Sequence, residues 1–399
     1  MSLPTVEAAL ATILARVAVL EAEDAPLAQA DGRRLAEPVR AGRDQPPFDA
    51  SSMDGWAVRG ADVTAGARLR IVGESVAGRG LDRTIEAGET ARIFTGAPLP
   101  PGADRVVIQE EVERDGDVAI FKPASSGARN IRRRGCDFRD GETLLEAGLV
   151  LNPWRLALAA SAGAGMLRCA RRPRVAILAT GDELVEPGQA AGPDQIYNSA
   201  APALAAFVAR HGGEPSVLTS SGDDRTAIAA AVSGAGFDLL VTIGGASVGD
   251  HDLVKPALRD LGAVLQVEGV AMRPGKPVWF ATLPDGRPVL GLPGNPASAL
   301  VCAELFLSAV LAAQQGGAVG DRFETAVLAG TLPPNGPRDH YIRAHAAPGS
   351  DGVRRVTPFA NQDSSLVTVM AAANALIRRP PHAPAVADGE RVSLLSPTL

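Results

Sequence analysis

The sequence predicts a multidomain chain of the α/β plus β class, with a parallel-sheet α/β domain at its centre. Length is the first ground: 399 residues, at roughly 150 per domain, call for two or three folded units. Rhythm is the second. Between Arg174 and about Ala313, strand, loop and helix alternate, the mark of a parallel sheet with helices on both faces. The third is the texture on either side, where short β-type runs are broken by Gly and Pro turns.

In chain order, residues 5–19 place Val6, Ala9, Leu10, Ile13, Leu14 and Val17 at helical spacing. From about Asp44, β-type runs at 68–72, 90–94, 105–109 and 118–121 predict a small β-rich unit. Residues 156–166 are apolar and alanine-rich. They predict a helix packed near the first one, which makes the β unit an insertion within one helical segment. Residues 174–179 form a continuous apolar run, as a strand buried on both faces requires. A helix at 200–210 ends at Gly212-Gly213, followed by strand 217–219, helix 225–232, strand 238–243 and helix 254–261. Short strands at 264–267, 278–281 and 289–292 precede a helix from Ala297 to about Leu311, and β segments return after Asp321. The expected domains are 1–43 with 137–172 (helical and linker, discontinuous), 44–136 (β-rich insertion), 173–317 (α/β) and 318–399 (C-terminal β).

Composition bounds the function. Hydrophobic residues make up 46% of the chain, enough for real cores, so disorder as the main state is excluded. The formal charge of −6 is mixed in sign, with no clustered basic face, which argues against nucleic acid and membrane surfaces as partners. No uncharged apolar run reaches the roughly 18 residues that span a bilayer. Glu7 precedes the first basic residue, Arg16, so the N-terminus reads poorly as a leader. Cys136, Cys169 and Cys302 are far apart and odd in number, as a reduced, cytoplasmic compartment would have them. Of 39 basic residues only Lys122, Lys255 and Lys276 are lysines, a scarcity that draws attention to each without deciding its role.

In open α/β sheets, ligands bind outside the carboxyl ends of the strands. Here that rule selects the loops 180–183, 220–224, 244–252, 273–277 and 293–296, where Asp182, Glu183, Asp223, Asp224, Asp250, Asp252, Arg273 and Lys276 concentrate. Gly244-Gly245-Ala246-Ser247-Val248-Gly249-Asp250 can offer successive N–H groups as an anion nest ahead of a helix. The same glycines suit an ordinary strand-to-helix turn, and the loop alone does not separate the two. Hard carboxylate oxygens beside a phosphate cradle suit Mg²⁺. Capping competes for the acids; it is favoured for Asp223 and Asp224, and a functional role for Glu183 and Asp252. Arg273-Pro274-Gly275-Lys276-Pro277 is a rigid turn whose two cations suit an oxyanion, although solvated turns commonly carry such charges. Leu292-Pro293-Gly294-Asn295-Pro296 puts Asn at an N-cap and Pro at the first helical position, aiming free N–H groups at the same mouth. Arg132-Arg133-Arg134 reads as a solvated face, His251 has no metal-ligand spacing, and no CxxC pattern occurs.

The motifs occur in a telling order. Phe48-Asp49-Ala50-Ser51-Ser52-Met53-Asp54-Gly55-Trp56-Ala57-Val58, Phe94-Thr95-Gly96-Ala97-Pro98 and Asn130-Ile131-Arg132-Arg133-Arg134-Gly135 precede the stretches 180–184, 244–252, 274–277 and 291–296. In that order they resemble the molybdopterin molybdenumtransferase (molybdenum insertase) family, related to the C-terminal part of gephyrin, over nearly the whole chain. The resemblance implies an elongated four-domain protomer working as a homodimer. Its α/β domain would be like that of molybdopterin adenylyltransferases, with a cleft completed by the β insertion of the other subunit. The implied reaction takes molybdate and adenylylated molybdopterin with Mg²⁺, inserts molybdenum at the dithiolene and releases AMP. Carried onto this sequence, it assigns catalytic roles to Asp54, Thr95, Asp137, Glu183, Asp223, Asp252 and Lys276. It assigns molybdate to Arg273, Lys276, Ser298, Arg343 and Ser364 or Ser365, and the metal to Glu183 with Asp252. Thr180, Gly181, Gly244, Gly245, Ser247, Gly249, Asp250, Pro293, Gly294 and Asn295 would hold molybdopterin and its phosphates. A molybdopterin adenylyltransferase and molybdoenzyme chaperones are the implied partners. There are departures: Trp56 stands where tyrosine is usual, Ala246 where valine is common, and Arg273 for the family's first lysine in its turn. The alternatives are a molybdopterin adenylyltransferase, which would not need the units outside the α/β domain, and a gephyrin-like scaffold without catalysis.

Overall fold

The computed structural model describes residues 3–122, 128–218, 224–244, 253–320 and 322–397. It divides into two compact units, Asp24–Asp31 with Glu37–Leu167, and Met1–Glu23 with Gly32–Ala36 and Arg168–Leu399.

The first unit is built on a six-stranded sheet. Its strands β1 (Gly55–Val58), β2 (Arg68–Ser75), β3 (Glu89–Ile93), β4 (Arg105–Ile108), β5 (Val112–Asp115) and β6 (Val118–Phe121) lie in the order β4-β1-β3-β2-β6-β5. Neighbours are antiparallel except β2 beside β3. Successive residues of β1 point to opposite faces, so Trp56 and Val58 enter one core with Val107 and Phe121 while Ala57 enters another with Ile93 and Val106. Gly55 stands where β1 and β4 approach most closely: a Cβ there would lie 2.0 Å from the Val107 carbonyl oxygen. The helix Pro153–Ser161 begins at Asn152, whose side chain accepts the Arg155 N–H at 2.9 Å, with Pro153 in the first turn. It stops short of the expected 156–166 span because Gly163 takes φ +89° and the chain then enters the strand Met166–Ala170.

The second unit opens with α1 (Val6–Leu14), capped by Thr5, whose hydroxyl accepts the Ala8 N–H. The buried face of α1 (Val6, Ala9, Ile13) shares its core with Val270, Met272 and Phe306 of the same unit. The helix expected over 156–166 belongs to the other unit. The central sheet contains β7 (Arg174–Ala179), β8 (Glu214–Leu218), β9 (Leu239–Ile243), β10 (Val264–Glu268), β12 (Trp279–Thr282) and β13 (Pro288–Leu292). A short strand β11 (Met272–Arg273) leaves it, and α2 (Ala200–Arg210), α3 (Arg225–Gly234), α4 (Val254–Asp260) and α5 (Pro296–Gln314) accompany it. The order is β8-β7-β9-β13-β12-β10.

β8, β7, β9 and β13 are parallel, as the apolar runs predicted, but β12 runs antiparallel to both of its neighbours, β13 and β10. The parallel sheet expected for this domain thus carries one reversed strand. The cause is local: Pro284-Asp285-Gly286 makes a tight turn, with Gly286 at φ +87° and the Leu283 N–H donating to the Arg287 carbonyl at 2.9 Å. So short a connection can only return the chain antiparallel. Val175 and Ile177 of β7 enter the core under α2 and α5, and Ala176 and Leu178 the core under α3 and α4. Helix α5 is 19 residues long with mean hydropathy 1.8, and 72% of its most apolar stretch is buried inside the protein. Its apolar surface is met by the sheet and by the β strands that follow.

Those strands are β14 (Phe323–Leu328), β15 (Asp339–Pro348), β16 (Arg354–Pro358), β17 (Ala375–Arg379) and β18 (Arg391–Leu395), with the short helix α6 (Val367–Ala372). They pair β15-β16-β14-β18-β17 and back to β15, closing a barrel around Leu328, Ile342, Ala344, Val356, Ile377 and Leu394. β11 joins the outside of this ring, parallel to the start of β15, with Met272 opposite Asp339 and Arg273 opposite His340.

Asp238, just before β9, anchors the entry to the sheet. It accepts hydrogen bonds from Arg171 Nη1 and Nη2 at 2.8 and 2.9 Å and from the Arg174 N–H at 2.8 Å. Burial alone would raise its pKa, but the Arg171 and Arg174 hydrogen bonds outweigh this and hold the carboxyl well below the usual range. A depressed native pKa contributes stability above the unfolded-state value, and that contribution is lost as pH falls towards the native one. Asp238→Asn should lower stability in urea by about 1–3 kcal/mol at neutral pH, because it removes the charge that accepts hydrogen bonds from both arginines. The deficit relative to the parent should shrink below about pH 4, where the unfolded carboxylate takes up its proton.

Candidate active site

β7 is the first strand of its sheet; the chain then adds β8 on one side and β9 on the other. That reversal opens a crevice at the carboxyl ends of β7 and β9. Thr180-Gly181-Asp182-Glu183 leaves β7 and Gly244 leaves β9. The Thr180 N–H donates to the Ile243 carbonyl at 3.1 Å, and the Gly244 N–H to the Leu292 carbonyl at 3.2 Å, extending the ladder past the strand ends. Gly244, at φ +88°, has no room for a side chain: a Cβ would lie 2.9 Å from the Thr180 carbonyl oxygen. Gly294 packs against it, with a Cβ position 3.5 Å from the Gly244 Cα. Three backbones thus meet with little side chain between them. The exposed Glu183 carboxylate folds back over Gly181, where an added Cβ would come within 2.5 Å of Oε2.

Beside this crevice lies a cavity of about 360 Å³, lined by Arg273, Lys276, Pro293, Asn295, Ser298 and Ser364, with Arg338, His340, Gln362 and Asp363. Because β12 is antiparallel, the turn that leads into it, 273–277, lies at the carboxyl end of the parallel strands. α5 begins at the same mouth, with Ser298 buried in its first turn. Asn295 occupies the N-cap position, but its side chain does not cap; Nδ2 donates to Ser364 Oγ at 3.1 Å and ties two loops together. Asp363 is the one acid in the lining, and the Ser365 N–H and hydroxyl bond its Oδ1 at 2.9 and 2.7 Å, holding the carboxyl below the usual range. Behind this loop Arg343 is fully buried. Its Nη1 donates to the Asp363 carbonyl at 2.9 Å and its Nε to Gln362 Oε1 at 3.3 Å, while Nη2 has no partner among the described residues. Burial pulls the Arg343 pKa down. The result is a positively lined pocket with hydroxyl and N–H donors, suited to a small oxyanion.

The structure therefore gathers Arg273, Lys276, Pro293, Asn295, Ser298 and Ser364 around one cavity, with Arg343 behind it and Thr180, Gly181, Glu183, Gly244 and Gly294 in the adjoining crevice. Ser364 lines the pocket; Ser365 orients Asp363. Asp224 caps α3, accepting the Thr226 and Ala227 N–H groups at 2.7 and 3.0 Å. Asp223, Gly245, Ser247, Gly249, Asp250 and Asp252 lie outside the described residues. Among the described residues no group of three His, Cys, Asp or Glu side chains is placed to hold a metal ion, and Glu183 is the one described member of the expected metal pair.

In the other unit, Asp54 Oδ1 accepts the Thr95 N–H at 2.7 Å and the Thr95 hydroxyl at 2.8 Å, which hold its carboxyl below the usual range. The Arg92 guanidinium lies over the Trp56 and Phe94 rings, at 5.5 and 4.9 Å. Asp137 is exposed, its N–H donating to the Gln45 carbonyl at 3.0 Å. Arg133 and Arg134 pair with Asp49 and Asp44 on an exposed face. Sequence reasoning missed Arg338, His340, Gln362 and Asp363. Their one local signal is the charged Arg338-Asp339-His340 triplet ahead of an apolar run, and only the pairing of β11 with β15 brings it to the site.

Comparison with known proteins shows the family of the chain. Residues 4–163 match the family described as MoeA N-terminal region (domain I and II), 176–313 a probable molybdopterin binding domain, and 325–396 the MoeA C-terminal region (domain IV). The molybdopterin molybdenumtransferase of Nostoc sp. is 40% identical over 300 residues, covering 73% of this chain and 69% of its own. The chain belongs to the molybdopterin molybdenumtransferase family. A second member, molybdopterin molybdenumtransferase 2 of Mycobacterium tuberculosis, is 35% identical over 80% of this chain and 87% of its own. Among solved structures, a molybdopterin biosynthesis MoeA protein from Pyrococcus horikoshii superposes with TM-score 0.83 at 30% identity, covering 99% of both chains. The molybdopterin molybdenumtransferase family consists of transferases of molybdenum cofactor biosynthesis, and this chain matches it from its helical start to its barrel.

Proposed function

We propose that the protein inserts molybdenum from molybdate into adenylylated molybdopterin, with release of AMP, in a Mg²⁺-dependent reaction in the cytoplasm. The observation that carries this reading is the cationic cavity beside the switch-point crevice, with the orphan Arg343 Nη2 behind it. A tetrahedral dianion needs fixed cations and hydroxyl donors. Arg273, Lys276, Ser298 and Ser364 supply them, and the N-terminus of α5 adds its dipole. The bare backbone at Thr180, Gly244 and Gly294 admits a diphosphate alongside.

The exposed Glu183 carboxylate at this crevice fits Mg²⁺, which is held by one or two carboxylates together with substrate phosphates. When bound there, Mg²⁺ stabilises charge on the phosphoryl oxygens as the AMP linkage is cleaved. Lys276 and Arg273 hold the oxyanion and Asn295 keeps Ser364 facing it, so the reacting groups meet in fixed positions.

A homodimer belongs to the same proposal, with Asp54, Thr95 and Asp137 of one copy supplying the opposite wall for the other. The adenylylated substrate calls for a molybdopterin adenylyltransferase upstream, and the finished cofactor for a molybdoenzyme chaperone downstream. Purified protein incubated with adenylylated molybdopterin should release AMP only when molybdate and Mg²⁺ are both present. AMP release indifferent to molybdate, or net adenylylation from ATP, would instead identify an adenylyltransferase. No AMP release under any of these conditions would leave the scaffold reading.

A further inference from the structure

The wall of the cavity formed by the start of β15 holds a side chain whose charge is not fixed. His340 is half-buried and lines the cavity. In the sheet it stands between two arginines, with Arg273 opposite it on β11 and Arg379 opposite it on β17. Arg338 comes from just before its strand and Arg343 from the strand itself, Lys276 from the 273–277 turn, and Gln362 and Asp363 from the loop after β16. The neighbouring acid on β15, Asp339, is taken up by Arg378 Nε at 3.1 Å. Asp363 is held by Ser365. The imidazole therefore faces a surplus of cations.

We propose that His340 is a further ligand of the oxyanion, joining the site by taking up one proton from solvent as the anion enters. The inference rests on the cavity being the molybdate site, as argued above. Without an anion, burial and then the charges of Arg273, Arg338, Arg343 and Arg379 push the imidazole pKa down to about 4, and the ring is neutral. A dianion among these cations reverses the local field and favours the protonated ring, whose two nitrogens are both donors. The proton passes from solvent to a ring nitrogen, and no other bond changes. Because the bound state takes up the proton, affinity is flat above the bound-state pKa and rises as pH falls below it. Each unit by which the anion raises that pKa adds a factor of ten in affinity.

The test is titration calorimetry of the full chain with sodium molybdate, across about pH 8 to about pH 5, in buffers of different ionisation enthalpy. The parent protein should bind about tenfold or more tightly at the acid end, with net uptake approaching one proton per anion. His340→Gln should keep the parent's affinity at the alkaline end within about threefold and lose both the slope and the proton uptake. His340→Asn repeats the comparison should the longer amide fail to pack. A flat profile in the parent, or a slope that survives in both variants, overturns the role of His340. The cavity reading then stands if Lys276→Ala still weakens binding. Failure of the parent to bind molybdate at any pH overturns both readings together.

Discussion

Lys276→Ala is expected to lower molybdate-dependent AMP release by about 10²–10³-fold, the usual loss when one preorganised donor of a charge-stabilising site is removed. The argument begins with the turn. Pro274, Gly275 and Pro277 leave few backbone freedoms around Lys276, so the ammonium is delivered to the cavity without much ordering at the moment of binding. Arg273 and Arg338 remain in the variant, so some anion affinity persists, but the turn then presents one cation where it presented two. Much of the loss should be recovered by raising molybdate if Lys276 acts mainly in capture. A loss that saturating molybdate cannot recover would show that it also steadies the reacting state. Lys122→Ala is the control: its Nζ bonds the Glu110 carbonyl in the other unit, and AMP release should not change. An equal loss in both variants would remove Lys276 from the site.

Gly55→Ala should destabilise the first unit by about 3 kcal/mol or more, towards the upper end of overpacking effects. The added methyl would meet the Val107 carbonyl oxygen at 2.0 Å and its carbon at 2.9 Å, both backbone atoms of a paired strand. A side chain could swing away; β1 is held on both sides by its ladders and cannot, so the strain falls on its pairing with β4. Asp54 precedes this residue, so the Asp54–Thr95 hydrogen bonds should be disturbed as well. Gly165→Ala in the same unit meets nothing within 4 Å, and its melting temperature should stay close to that of the parent. Comparable melting temperatures for the two variants would contradict the close-approach argument.

Much of the fold could be read because its signals are local. An unbroken apolar run such as β7 has nowhere to go but between two layers of helices, and glycine after β9 sits where a loop must hug its neighbour. Direction is a different matter. Nothing within Trp279–Thr282 says that it runs against β13; the information lies in Asp285-Gly286, a tight-turn signal beside it. Likewise an amphipathic helix such as α1 shows that it has a buried face and not what will cover it. At the site, the turn 273–277 and the start of α5 were legible as loops beyond strand ends. Arg338, His340 and Gln362 were not, because their placement depends on ladders between residues far apart in the chain. Asn295 shows the limit most plainly. Its position at the start of a helix was readable, but its bond to Ser364 depends on a loop that arrives 69 residues later.

The two-residue strand β11 has a consequence beyond its size. Met272 and Arg273 are stitched to the first residues of β15, so part of the cavity wall comes from the α/β region and part from the barrel. A gene rearrangement that carried the α/β region away on its own would transplant an unfinished cup. Inheritance of a complete cavity is thereby bound to inheritance of both pieces, joined by the same seam.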